Sequence, residues 1–482
     1  MTRKLLEPFT KDEVYQINQA SLEIMERAGV WYEREEALKI LEKAGAEVSY
    51  KTKIAKLPES LVKDALKHVP GKFRLAGRER KHDFVVGEDK SYWGMMGGPL
   101  IVDLETGKVR ETTKKDVAEW AKFADALDDV WFITPPMARD VNPMVSAEHE
   151  FEAMVNNSSK FLEQNLYSGS GARNVFEMAS VVMGGDEELT KNPLIFGAGC
   201  AVSPLQHCGI ALDVWSELAS RGLPCLVATE AIIGATGPIT IAGSLAVANA
   251  DVLSGITLLE LITPGIPVAY SIGLSHVMDM KKAEALCGCP ERVFAIAANA
   301  QLGRFYGVPT WVGVATDSKL PDAQAGYEMA LSALYTTMTG NHMVMGIGSS
   351  LASRGVSYEE ALIDWEIMRM VSRIAKGTEV SEETLGVDLI CEIGPGGNFI
   401  ATEHTLKHYK KEIQDAVITD RSSVWIWEKE GRKDMAQRAR EMAKKILREH
   451  EPTPLPKDVQ ERLSEIVKRA EKESLKMSSS TS

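Results

Sequence analysis

Hydrophobic positions recur at helical spacing from the start of the chain. Val14, Ile17, Ser21, Ile24 and Ala28 mark one face of a helix over 11–28, and Gly29 follows as a stop. A second helix is expected over 33–44, with Ala37, Ile40, Leu41 and Ala44 inward and Gly45 at its end. Both close on Ala-Gly, which suggests a paired helical hairpin. A short strand near 53–57, a helix near 59–68 and a strand-rich stretch to about residue 90 complete a small α+β extension, 1–90.

From 91 to 376 the pattern changes to short apolar runs that alternate with longer helical ones. The runs are 92–96, 130–134, 161–167, 194–199, 224–229, 267–271, 309–316 and 343–348. Helices are expected near 114–126, 146–158, 172–183, 206–221, 240–262, 290–306, 322–340 and 358–375. Strands apolar on both faces are parallel and covered by helices. Eight strand-then-helix units in this span match a (β/α)8 TIM barrel, an α/β fold. A doubly wound open sheet has the same alternation, because periodicity does not show closure. Asp103-Leu-Glu-Thr-Gly-Lys108 is a hairpin signal just after the first strand. Residues 377–482 form a C-terminal extension. It opens glycine-rich and ends in a charged helical tail over 430–475, broken at Glu451-Pro-Thr-Pro-Leu-Pro456, with a final SSSTS expected to be disordered.

Composition changes this picture little. Of 482 residues, 44% are hydrophobic and 26% charged, near the globular average, which excludes a disordered or collagen-like chain. The net charge of −13 makes nucleic acid a poor partner. Six cysteines are too few for a disulfide scaffold in a chain this long and fit a reduced interior. The N-terminus has no apolar signal core. The apolar stretch 240–262 is interrupted by Asn249, Asp251 and Glu260, as a buried helix would be rather than a membrane span. A cytoplasmic protein with no membrane partner is expected.

Barrel chemistry concentrates where strands end. Those positions offer Tyr92, Trp93, Met95 and Met96 in the first unit, and Glu163, Gln164, Asn165 and Tyr167 in the third. Cys200 follows in the fourth, Glu230 in the fifth, Tyr270 and His276 in the sixth, and Trp311 with Thr316-Asp-Ser-Lys319 in the seventh. There is no P-loop, GxSxG elbow, HExxH or CxxC pair. Cys287-Gly-Cys289 with His276 fits no common zinc spacing, so no metal site is expected. Two features remain. Tyr92, Trp93, Tyr167, Tyr270 and Trp311 supply aromatic faces, which bind quaternary ammonium groups, although any one ring also serves as core. The loop Thr316–Glu328 gathers polar groups, with Asp322 placed to cap the next helix and Lys319 beside Asp317.

Several segments together resemble the trimethylamine methyltransferase superfamily. They are the helices ending Ala28-Gly-Val and Ala44-Gly-Ala, Leu75-Ala-Gly-Arg78, Thr316-Asp-Ser-Lys319, Asp322-Ala-Gln-Ala-Gly326, Gly394-Pro-Gly-Gly-Asn-Phe399 and His404-Thr-Leu-Lys-His-Tyr409. The likeness runs from about residue 10 to 430. It implies a (β/α)8 barrel that moves a methyl group from a methylamine to the cobalt of a separate corrinoid protein. The trimethylamine enzymes carry pyrrolysine at a strand end. This chain has none, so it resembles the non-pyrrolysine branch, whose members demethylate quaternary amines such as glycine betaine, proline betaine or carnitine.

The chemistry agrees with that split. A quaternary nitrogen already carries its fourth bond, and its leaving group is a neutral tertiary amine, so the protein need only orient and desolvate one methyl. On this resemblance Tyr92, Trp93, Tyr167, Tyr270 and Trp311 become candidate walls of an ammonium site, and Glu230 a counter-charge. Thr316 and Asp317 mark the region of the pyrrolysine position, and Phe399 belongs to a C-terminal segment that either covers the mouth or packs. No cofactor is expected to bind tightly, because the methyl acceptor is the cobalamin of the partner corrinoid protein, and a homo-oligomer is expected. Two other readings stand beside this one: a Schiff-base aldolase or lyase using Lys319, and a non-catalytic betaine-binding protein.

Overall fold

The computed structural model describes residues 5–273 and 275–480. Eight short strands form its centre: β1 (Tyr92–Met95), β2 (Val130–Ile133), β3 (Phe161–Gln164), β4 (Ile195–Ala201), β5 (Cys225–Thr229), β6 (Val268–Ser271), β7 (Trp311–Gly313) and β8 (Met343–Ile347). Each pairs in parallel with its neighbours in the order β6-β5-β4-β3-β2-β1-β8-β7. The two ends of that ladder meet at an isolated parallel bridge between Tyr270 and Thr310. There the Tyr270 N–H donates to Pro309 O at 2.8 Å. The sheet thus comes round as a barrel, and the open doubly wound alternative falls away.

A helix follows each strand: α1 (Lys114–Asp125), α2 (Ser146–Asn157), α3 (Gly169–Met183), α4 (Gly209–Ala219), α5 (Ile241–Ile262), α6 (Arg292–Tyr306), α7 (Ala323–Thr339) and α8 (Tyr358–Lys376). Their starts follow from side chains that satisfy the first free N–H groups. Thr113 forms a capping box with Asp116, Ser168 caps α3, and Asp322 accepts from the Gln324 and Ala325 N–H groups, the role expected of it.

The N-terminal extension explains the most apolar segment. By length and composition α5 could cross a membrane, yet most of it is buried inside the protein. One face lies on β5, and the helices Lys11–Arg27, Glu35–Lys43 and Glu59–Leu66 cover the rest. A helix enclosed on all sides is apolar all round. The two N-terminal helices therefore do not form the expected hairpin pair. The strand Val30–Tyr32 separates them and pairs with Ile54–Lys56 and with Gln206–His207 of the barrel. Gly29 makes that strand's entry at φ +76°, where a Cβ would strike Ile54.

Two small sheets stand over the C-terminal ends of the barrel strands. The hairpin Leu100–Val102 with Val109–Glu111 pairs with Gly355–Val356. The strands Ile232–Ile233, His276–Asp279 and Glu284–Leu286 form the other. In the C-terminal extension, the helix Met435–Glu449 packs on α8 and α1, and Lys457–Ser480 packs on α2 and α3. The proline-rich break separates them, with His450 Nε2 2.8 Å from Asp125. The last helix runs into the serines expected to be disordered, and residues 481–482 of that tail lie outside the described residues.

Candidate active site

Inside a barrel, alternate residues of each strand face the centre. That parity brings Ala198 and Cys200 of β4, Leu226 and Ala228 of β5, and Trp311 and Gly313 of β7 to one cavity of about 400 Å³. Met96, Thr134 and Glu230, just beyond β1, β2 and β5, continue its wall. The loop Gly97–Pro99, and His276, Ala285 and Cys287 in or beside one of the overlying sheets, add to it.

Across the cavity, Trp311 Nε1 donates to Glu163 Oε2 at 2.9 Å. Both side chains are buried. Burial pushes the Glu163 carboxyl up to about 7, and the indole N–H only partly opposes it. Glu230 lies deep in the cavity but is exposed to its open space. The surrounding protein pushes its carboxyl up, Arg292 pulls it back, and access to water favours the ionised form. Burial and then the Arg292 charge hold the His276 imidazole down at about 4, so it is neutral at physiological pH.

Arg292 was not a candidate from the sequence. It is the first residue of α6, beyond a 20-residue excursion from β6, and no strand-end rule points to it. Its side chain is nonetheless buried and lines the cavity. The guanidinium spans Ser275 O (3.0 Å), Cys287 O (3.3 Å), Gly273 O (3.2 Å) and Gly313 O (2.7 Å). Glu163 stood among the strand-end residues but outside the aromatic set. The signal for it is parity, since it shares a face of β3 with Phe161.

Of the residues expected at the site, Trp311 and Glu230 line the cavity. Thr316 and Asp317 lie behind its wall. The Thr316 hydroxyl donates to Glu328 at 2.7 Å, and Asp317 accepts from the Cys287 and Gly288 N–H groups at 2.7 and 2.9 Å, tying an overlying strand pair to the barrel. The other aromatic rings stand elsewhere. Tyr92 is the first residue of β1, at the opposite end of the barrel, packed against Phe84 and Trp131 with the Lys90 ammonium 4.7 Å from its ring. Trp93 is buried without lining the cavity. The Tyr167 hydroxyl reaches Glu150 at 3.5 Å, outside the lining. Tyr270 faces outward, its hydroxyl 2.7 Å from Asn249 of α5. Phe399 is exposed on the C-terminal extension. Lys319 is also exposed, its Nζ 2.6 Å from the Asp317 carbonyl rather than the carboxylate. Among the described residues no group of three or more His, Cys, Asp or Glu is placed to hold a metal.

Comparison with known proteins agrees with this fold. The sequence profile described as "Trimethylamine methyltransferase (MTTB)" matches residues 1–474. The chain belongs to the trimethylamine methyltransferase family. It is 37% identical to trimethylamine methyltransferase MttB of Desulfitobacterium hafniense over 468 residues, which cover 96% of this chain and 94% of that one. It is 31% identical to a glycine betaine methyltransferase from another strain of that species, covering 96% and 97%. The solved monomethylamine methyltransferase MtmB of Methanosarcina barkeri shares the fold at TM-score 0.51 and 13% identity, covering 92% of this chain and 95% of that chain. The family membership makes the protein a methyltransferase that acts on an amine. With no pyrrolysine in its sequence, it falls in the non-pyrrolysine branch.

Proposed function

We propose that this methyltransferase takes a methyl group from a quaternary amine of the betaine type and delivers it to the Co(I) of a partner corrinoid protein. The Trp311–Glu163 pair carries the reading. An indole face and a carboxylate in a desolvated cavity attract a cation that offers no hydrogen-bond donor. A quaternary ammonium is such a cation, and its entry favours the ionised form of Glu163. The glycine betaine methyltransferase among the relatives supports the same donor class.

The step balances without a general acid. The two electrons of Co(I) form the new carbon–cobalt bond while the C–N bond pair returns to nitrogen, so a neutral tertiary amine leaves and cobalt becomes methyl-Co(III). The chain's residues hold the donor, exclude water and point one methyl at the mouth. Neutral His276 is not required to move a proton. The exposed Lys319, outside the cavity, gives no support to a Schiff base.

The acceptor docks over the mouth, at the rim made by Gly97–Pro99 and residues 352–354. A homo-oligomer fits the C-terminal extension, where Leu385, Ile400, Leu406, Val424 and Trp425 are exposed, since apolar surface of that kind marks protein interaction sites. All six cysteines are free, which supports a reducing, cytoplasmic setting.

The deciding assay follows loss of the cob(I)alamin absorbance when purified protein is mixed with glycine betaine, proline betaine, carnitine or γ-butyrobetaine. At least one should yield methyl-Co(III) and its tertiary amine in equal amounts. No methylation from any of them overturns the reading.

A further inference from the structure

We propose that Arg292 binds the carboxylate of the methyl donor and restricts the cavity to quaternary amines that carry one, an assignment that rests on the betaine reading above.

A guanidinium has five N–H groups. Four of the hydrogen bonds of Arg292 go to backbone carbonyls, two of them from Nη2, one from Nε and one from Nη1. One Nη1 proton is left over. Carbonyls satisfy hydrogen bonds but do not neutralise charge. The Asp317 and Glu230 carboxylates act on the guanidinium electrostatically, but among the described residues none is within ion-pair distance of it. A buried cation with no counter-ion in contact is costly. Here it lines a cavity that an anionic group can enter.

The position fits a zwitterion. Gly313, whose carbonyl holds Nη2, is two residues beyond Trp311 on the same face of β7, about 6–7 Å along the strand. One small molecule can therefore place its ammonium on the Trp311–Glu163 pair and its carboxylate on Arg292. A neutral or purely cationic amine lacks the second anchor.

The test is calorimetric titration of the full chain with glycine betaine, proline betaine, carnitine and γ-butyrobetaine against choline and tetramethylammonium, which have no carboxylate. At least one carboxylate-bearing amine should bind ten-fold or more tightly than either of the others. Arg292→Gln should abolish that preference while leaving tetramethylammonium affinity within about two-fold, and Arg292→Lys should keep part of it. Should Arg292→Gln fail to fold on loss of its carbonyl bonds, the wild-type panel and Arg292→Lys carry the test. Choline or tetramethylammonium binding as tightly as every carboxylate, or a preference that both variants retain in full, overturns the assignment. If choline also methylates cob(I)alamin as readily as the betaines, the methyl-transfer reading stands and only the role of Arg292 is lost. If no quaternary amine binds or reacts, that reading itself falls.

Discussion

The Trp311 indole N–H donates to the Glu163 carboxylate at 2.9 Å from the opposite wall of the barrel. That bond fixes the ring in the cavity wall. Trp311→Phe keeps an aromatic face and removes the donor, so binding of the preferred amine should weaken two- to five-fold. Trp311→Ala removes both, and a loss of about 1–2 kcal/mol, roughly five- to thirty-fold in Kd, is expected by calorimetry.

Glu163 makes ligand binding and stability pH-dependent in opposite senses. Its carboxyl is held near 7, above an ordinary value of about 4.5. Between those values the folded chain keeps a proton that the unfolded chain has released. Stability should therefore fall as pH rises through that window, by on the order of 3 kcal/mol in all, and level off above it. Glu163→Gln escapes this loss, so its stability relative to wild type should rise from pH 4.5 to 7 in urea melts. Amine affinity should instead strengthen as pH passes 7, and Glu163→Gln should flatten that dependence.

Tyr270 separates a ring in the core from a ring in the site. Its hydroxyl meets Asn249 of α5, on the outer side of the barrel. Tyr270→Phe should lower stability by about 1 kcal/mol and leave kcat and KM for methyl transfer unchanged. A ten-fold rise in KM would place the ring against the substrate.

Asp317 acts through the strand pair it holds. It accepts the Cys287 and Gly288 N–H groups, and Cys287 lines the cavity. Asp317→Ala should cost about 1–2 kcal/mol of stability and raise KM more than it lowers kcat, because the wall of the cavity loosens while the Trp311–Glu163 pair stays in place.

The exposed apolar residues of the C-terminal extension predict an interface between copies. Ile400→Glu combined with Trp425→Glu should shift the protein to monomer in sedimentation velocity without lowering the thermal midpoint of the barrel. An unchanged sedimentation coefficient would assign those residues another role.

The barrel was legible because its strands are buried on both faces and read as apolar runs, while α1, α7 and α8 announce themselves by period and by caps such as Asp322. The pairing of the N-terminal helices was not. Their Ala-Gly ends describe where each stops, but the partner of both is α5, far along the chain. The site was legible only in part, for a related reason. An aromatic residue near a strand end does not disclose which end or which face it occupies. Tyr92 stands at the first position of β1 and Tyr270 on the outward face of β6, whereas Trp311 has the inward parity. Arg292 reaches the cavity from a helix start after a long excursion, and no period in the chain records that.

The seam between β6 and β7 has one more implication. Outside the Tyr270–Thr310 bridge, α6 clasps it: Arg292 holds Gly273 O and Gly313 O, and Asn299 joins the Ile272 N–H to Trp311 O. A carboxylate seated on Arg292 would thus tighten the staves at their thinnest joint, so occupancy should be readable as slowed deuterium uptake by the amides of 270–273 and 310–313.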